Sequence, residues 1–132
     1  MPTYAPSLDD IERLARAALE RLPELFRQHL GGVILRVEEF ADEDVLRELG
    51  AENPFEISGH YTGRPVGEKS SDLSGALPDM IHLYRRPILD EWAEQGESLG
   101  TLVTHIVVHE VGHHFGLSDD AMHAIEEAAS EE

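Results

Sequence analysis

Leu8, Ile11, Leu14, Ala15, Ala18, Leu19 and Leu22 recur at three- and four-residue intervals. Ser7-Leu8-Asp9-Asp10 ahead of them resembles a capping box with Asp in place of Glu, so the pattern predicts a first helix from Ser7 to Leu22. Pro23 either kinks this helix or begins a second short one through Leu25, Phe26 and Leu30, before Gly31 and Gly32. Val33 to Val37 reads as a strand, and Asp42 to Leu49 as a helical turn or two closed by Gly50. Phe55 to Thr62 has a strand pattern interrupted by Gly59, a candidate bulge. Gly63 to Pro78, rich in Gly, Pro and Ser, reads as a long loop, either functional or a plain surface loop. Asp79 to Arg85 alternates like a strand, with Met80, His82 and Tyr84 on one face and Ile81, Leu83 and Arg85 on the other. Pro87 suits the first turn of a helix through Ile88, Leu89 and Trp92 that ends near Gly96. Ser98 is the expected N-cap of a central helix burying Leu99, Leu102, Val103, Ile106 and Val107, and Asp120 to Ala129 forms a last helix.

At 132 residues the chain is expected to form one domain, residues 1–132, with a single modest core. The most apolar stretch, Leu99 to Val111, is broken by Thr104, His105, His109 and Glu110, so no membrane partner is expected. Its start, MPTYAPSLDD, lacks the basic and apolar regions of a secretory signal, and there are no cysteines. Both features fit a reducing cytoplasm, and any metal must be held by His and carboxylate. The formal charge of −17, from 27 acidic and 10 basic residues, argues against nucleic acid as a partner. Along the sequence the acids show no local clustering, so solubility accounts for them better than basic substrates or high salt.

Chemistry concentrates in HEVGHHFGLSDD, residues 109 to 120, which contains H-E-x-x-H-x-x-G-x-x-D. On a helix, His109 and His113 fall on one face and can share a Zn²⁺, one per chain. Glu110 stands beside the metal, where it can take a proton from a water as general base. Gly116 lets the chain leave the helix in a left-handed turn, after which Asp119 can supply the third ligand. Its competitors for that role are His123, Glu126 and Glu127. Asp119 is also a candidate N-cap for the final helix, as is Ser118. His105 continues the histidine stripe and is expected to pack or to support the ligands from behind. The bare H-E-x-x-H would arise by chance in such a chain about once in fifteen, whereas the extended motif falls to a few in about ten thousand.

The extended motif resembles the Asp-type zincin metallopeptidases. LPDMIHLYRRPI (Leu77 to Ile88) and VTHIVVHEVGHHFGLSDDAMHAIEE (Val103 to Glu127) are similar to a family of small, single-domain bacterial zincin-like proteins. The resemblance implies an α+β, reduced zincin-like fold: an N-terminal helix, a small twisted sheet and an active-site helix bearing the motif. It makes His109, His113 and Asp119 the zinc ligands and Glu110 the base. A sheet strand bordering the cleft is also implied, and Asp79 to Tyr84 is the candidate. The chain departs from larger zincins in one respect. Their methionine turn lies well after the third ligand, whereas Met122 follows Asp119 by only three residues.

These readings converge on a zinc-dependent hydrolase acting on a peptide or protein substrate. Tyr84, His114 and His123 are the candidates to support the oxyanion or the ligands. Two alternatives stand beside it: hydrolysis of a non-peptide amide, and a non-catalytic module that a metal braces for binding a partner. The intact Glu110 argues against the second, because a bracing site has no need of a base. The sequence assigns no oligomeric state.

Overall fold

The computed structural model describes residues 4–28, 30, 32–63 and 79–130, with only the backbone of residues 25, 113–115, 119, 126 and 128–130. Helix α1 spans Leu8–Glu20 behind the Ser7 cap. Ser7 Oγ accepts from the Asp10 amide (3.1 Å) and the Asp10 carboxylate accepts from the Ser7 amide (2.9 Å), which completes the expected capping box. Pro23 then opens a short helix, α2, Glu24–Arg27. Strand β1 is Ile34–Glu38, and helix α3, Glu43–Glu48, is capped by Asp42 and closed by Gly50 at φ 71.

The next segment departs from the strand expected over Phe55 to Thr62. Pro54–Glu56 form one turn of 3₁₀ helix, begun by the Asn53 side chain accepting from the Phe55 amide at 2.9 Å. Proline and a capping asparagine outweigh the apolar alternation there. Strand β2 is therefore only Gly59–Thr62. Gly59 is its first residue, paired with Leu83, and not a bulge. The expected loop lies outside the described residues from position 64 to 78. Strand β3, Met80–Tyr84, stops one residue short of expectation, because Arg85 opens helix α4, Arg85–Gln95. The Arg85 guanidinium is held by the Pro6 carbonyl (2.6 Å) and Glu39 (3.0 Å). Gly96, at φ 73, ends α4 as predicted. Helices α5, Leu99–Phe115, and α6, Asp119–Ser130, complete the order.

The sheet runs β1-β3-β2, with β1 parallel and β2 antiparallel to β3. Pairing aligns Leu35, Ile81 and Tyr61 in one row and Val37, Leu83 and Gly59 in another. Because strand side chains alternate, both rows share the face that packs on α1 and α5. The opposite face carries the row Arg36, His82 and His60. This α+β arrangement of N-terminal helix, small sheet and motif helix has the layout that the resemblance implied.

Helix α5 is the centre of the core. Leu102, Val103, Thr104, Ile106, Val107, Val108 and Val111 are all buried. An apolar girth this wide needs neighbours on most sides, and α1, α4, α6 and the sheet supply them. Thr104, the polar member, accepts from Arg21 Nη2 at 3.1 Å. The exposed positions between Thr101 and Val111 are Thr101, His105 and His109, one stripe at four-residue spacing.

Gly112 governs how α6 packs on α5. A Cβ there would collide with Sδ and Cγ of Met122, which is 8 % exposed. Alanine in an open helix is normally worth about 1 kcal/mol over glycine. Here Gly112→Ala should instead destabilise by about 1–3 kcal/mol through overpacking. Against Met122→Ala the same substitution should turn neutral or stabilising, and urea unfolding of the four proteins of the cycle reads the reversal.

Candidate active site

The exposed stripe of α5 forms one wall of a cleft of about 680 Å³. His105, Ile106, His109 and Glu110 line it from α5, Gly59, His60 and Tyr61 from β2, and Glu48, Glu56 and Glu91 from its rim. Among the described residues β2 has β3 as its one strand neighbour. The strand bordering the cleft is thus β2 and not the expected Asp79 to Tyr84, because β3 lies between two neighbours in the middle of the sheet.

His109 is exposed on the cleft wall, whereas Glu110, one residue on, is 4 % exposed. A rotation of about 100° per helical residue produces this contrast. Burial raises the Glu110 carboxyl to about 7. Its Oε2 lies toward the start of β2: a Cβ on Gly59 would stand 3.1 Å from it and 2.8 Å from Ile106 Cγ2. The absence of a side chain at position 59 therefore lets strand and helix approach and leaves the carboxylate beside the cleft.

The backbone after Glu110 follows the motif. Helix α5 runs unbroken through position 113, so His109 and His113 hold the four-residue spacing two ligands need. Gly116 adopts φ 66, and the Leu117 amide reaches back to the Gly112 carbonyl at 2.9 Å, the six-to-one bond of a Schellman ending. Three residues later α6 begins. Ser118 Oγ accepts from the Ala121 amide at 3.2 Å, so Ser118 supplies the N-cap and Asp119 is the first helical residue. The side chains of His113, His114, Asp119 and Glu126 lie outside the described residues. Two histidines at helical spacing, an aspartate at the first position of α6 and a sequence without cysteine are the residue types that suit Zn²⁺.

The remaining expected residues are distributed differently. Tyr84 is 1 % exposed and is absent from the described cleft lining, and burial raises its pKa well above the ordinary value, helped by Glu38, Asp42 and Glu110. His123 is exposed on α6, 3.7 Å from Glu127. His105 is exposed and lines the cleft. Sequence reasoning missed His60, Glu48, Glu56 and Glu91, because β2 and α3 are short and polar and only tertiary folding brings them to the same cleft.

A family model of zincin-like metallopeptidases matches residues 30–129, and the chain belongs to that family. No curated protein matches the chain. Membership assigns it to the metallopeptidases, a hydrolase class generally dependent on zinc and acting on peptides or proteins. Among the described residues, no helix is long and apolar enough to cross a membrane.

His60 and His82 stand opposite each other on β2 and β3, rings stacked with centroids 5.6 Å apart. Each Nδ1 is buried without a hydrogen-bond partner among the described residues. Burial lowers both pKa values, His60 further depressing that of His82, while Glu48 and Asp42 partly offset the effect at His60. Both rings thus bind a proton more weakly in the fold than in the unfolded chain, whose value is near 6.5. Their contribution to stability is complete above pH 6.5 and falls away as pH drops below it. Replacing both with phenylalanine should flatten the stability–pH curve below pH 6.5 relative to wild type, measured by urea unfolding at a series of pH values.

Proposed function

We propose that the protein is a zinc-dependent peptidase that works as one domain, binding a single Zn²⁺ through His109, His113 and Asp119, with Glu110 as general base. The observation that carries this reading is the position of Glu110: a carboxylate 4 % exposed, at the edge of a cleft, one residue from an exposed histidine. A site meant only to brace the helices would be served better by an apolar residue there, since burying a carboxylate is costly.

When bound, zinc supplies Lewis acidity, acidifying a water and polarising the scissile carbonyl. His109 and His113 would hold it from α5, and Asp119 from the start of α6. Glu110 accepts the proton of the attacking water and passes it to the leaving amine, and its burial weakens competition from solvent. The outer edge of β2 can pair with an extended peptide and align its backbone along the cleft. Among the described side chains, His60, Tyr61 and His105 line the cleft beside the motif and are placed to meet the substrate.

Elemental analysis should find one zinc per chain in the wild-type and Glu110→Gln proteins. It should find none in His113→Ala, and a full complement in His114→Ala, whose side chain projects about 100° away around the helix. Asp119→Asn should weaken zinc binding yet leave the metal-free protein as stable as wild type, because Ser118 is the cap. Hydrolysis of a peptide library, read by mass spectrometry, should fall about 10²–10⁴-fold in Glu110→Gln. Equal cutting by the two proteins, or none by zinc-loaded wild type, would sink the peptidase reading.

A further inference from the structure

The charged residues that line the described part of the cleft are all acids or histidines. Glu48 comes from the end of α3, Glu56 from the 3₁₀ turn and Glu91 from α4, so three separate elements converge on one opening beside Glu110. Along the sequence these glutamates are far apart, which is why no clustering is visible there.

No described arginine lines the cleft. Arg13, Arg16, Arg27, Arg47 and Arg85 pair with Asp10, Glu12, Glu24, Asp44 and Glu39, Arg21 donates to Thr104, Arg86 lies over the Phe40 ring, and Arg36 shares the row of His82 and His60 without lining the cleft. Glu56 accepts from the Glu52 amide at 3.4 Å and Glu91 from the Gln95 side-chain amide at 3.1 Å, and neither contact neutralises charge. A second observation points to a ligand. His60 lines the same cleft, is 9 % exposed, and its Nδ1 has no hydrogen-bond partner among the described residues. Burial keeps this imidazole neutral at neutral pH, so the ring adds no positive charge to the cleft wall. Three carboxylates and a neutral imidazole around one opening complement a cationic side chain.

We infer that the cleft selects peptides carrying an arginine or lysine side chain, which Glu48, Glu56 and Glu91 hold against the His60 wall. This specificity rests on the peptidase reading and names the substrate class of the same site. The attraction weakens with ionic strength, as expected of a half-open cleft.

The test uses two fluorescein-labelled hexapeptides that differ only in arginine or its uncharged isostere citrulline at one position. Binding to zinc-loaded Glu110→Gln protein is followed by fluorescence anisotropy, so no cleavage intervenes. The arginine peptide should bind about tenfold tighter or better, by the strength of charge-assisted hydrogen bonds. Glu48→Gln, Glu56→Gln and Glu91→Gln together, added to Glu110→Gln, should abolish the difference. Glu48 and Glu56 are exposed and Glu91 is half-exposed, so the variant should fold, which urea unfolding checks. Equal binding of the two peptides overturns the inference. A preference that survives the triple substitution also overturns it, since the general negative surface then accounts for the attraction. In parallel, wild type digesting a degenerate library should enrich arginine and lysine around the cut, and cutting without enrichment counts against the inference alone. If wild type cuts nothing, the peptidase reading fails, and the arginine–citrulline comparison still decides whether the cleft holds cations.

Discussion

Everything in this fold depends on burying α5 on all but one of its sides. A helix with Leu102, Val103, Ile106, Val107, Val108 and Val111 around its girth cannot rest on a surface. Helices α1, α4 and α6 and the sheet close around it, and the stripe left open carries Thr101, His105 and His109. The hydrophobic effect thus decides which residues of the motif meet solvent. His109 reaches the cleft because its neighbours on the helix are needed inside, and Glu110 is withdrawn for the same reason.

Two glycines set the tightness of this enclosure from opposite directions. Gly59 lets β2 approach Ile106 and Glu110, and Gly112 receives Met122 from α6. Neither depends on a left-handed backbone, since both are used for close approach. The left-handed requirement falls on Gly116, which turns the chain so that Ser118 can cap α6 and leave Asp119 at its first residue. Only residues 116–118 separate the end of α5 from Asp119, the last residue of the motif.

Much of the fold that local chemistry decides was legible in the sequence. The Ser7–Asp10 capping box, Gly50, Gly96 and Gly116 after helices, and the period of α1 each depend on a few adjacent residues, and each is found where the sequence places it. The errors have two causes, one tertiary and one local. Asp79 to Tyr84 reads as a strand, but nothing local distinguishes a central strand from an edge, and the order β1-β3-β2 reverses the expected role. The apolar alternation from Phe55 yielded to Pro54 and Asn53. In the site, H-E-x-x-H was visible because its parts share one helix. His60, Glu48, Glu56 and Glu91 were invisible because they meet only across α3, the 3₁₀ turn, β2 and α4. Tyr84 was a candidate to support the oxyanion or the ligands on sequence grounds, and in the fold it is buried.

The seat of Met122 on Gly112 bears on how the protein ages. The chain has no cysteine, so among its sulfur atoms only those of methionines can be oxidised. Met122 Sδ lies where even a methyl group on Gly112 finds no room. A sulfoxide oxygen on that atom would need both space and a hydrogen-bond donor, and the α5–α6 interface at Gly112 has too little of the first. Oxidant that reaches this thioether would therefore wedge apart the two helices that carry the motif, and damage to one buried sulfur would register as loss of the cleft's geometry. The burial that fixes the helix pair also shields the atom most able to disrupt it.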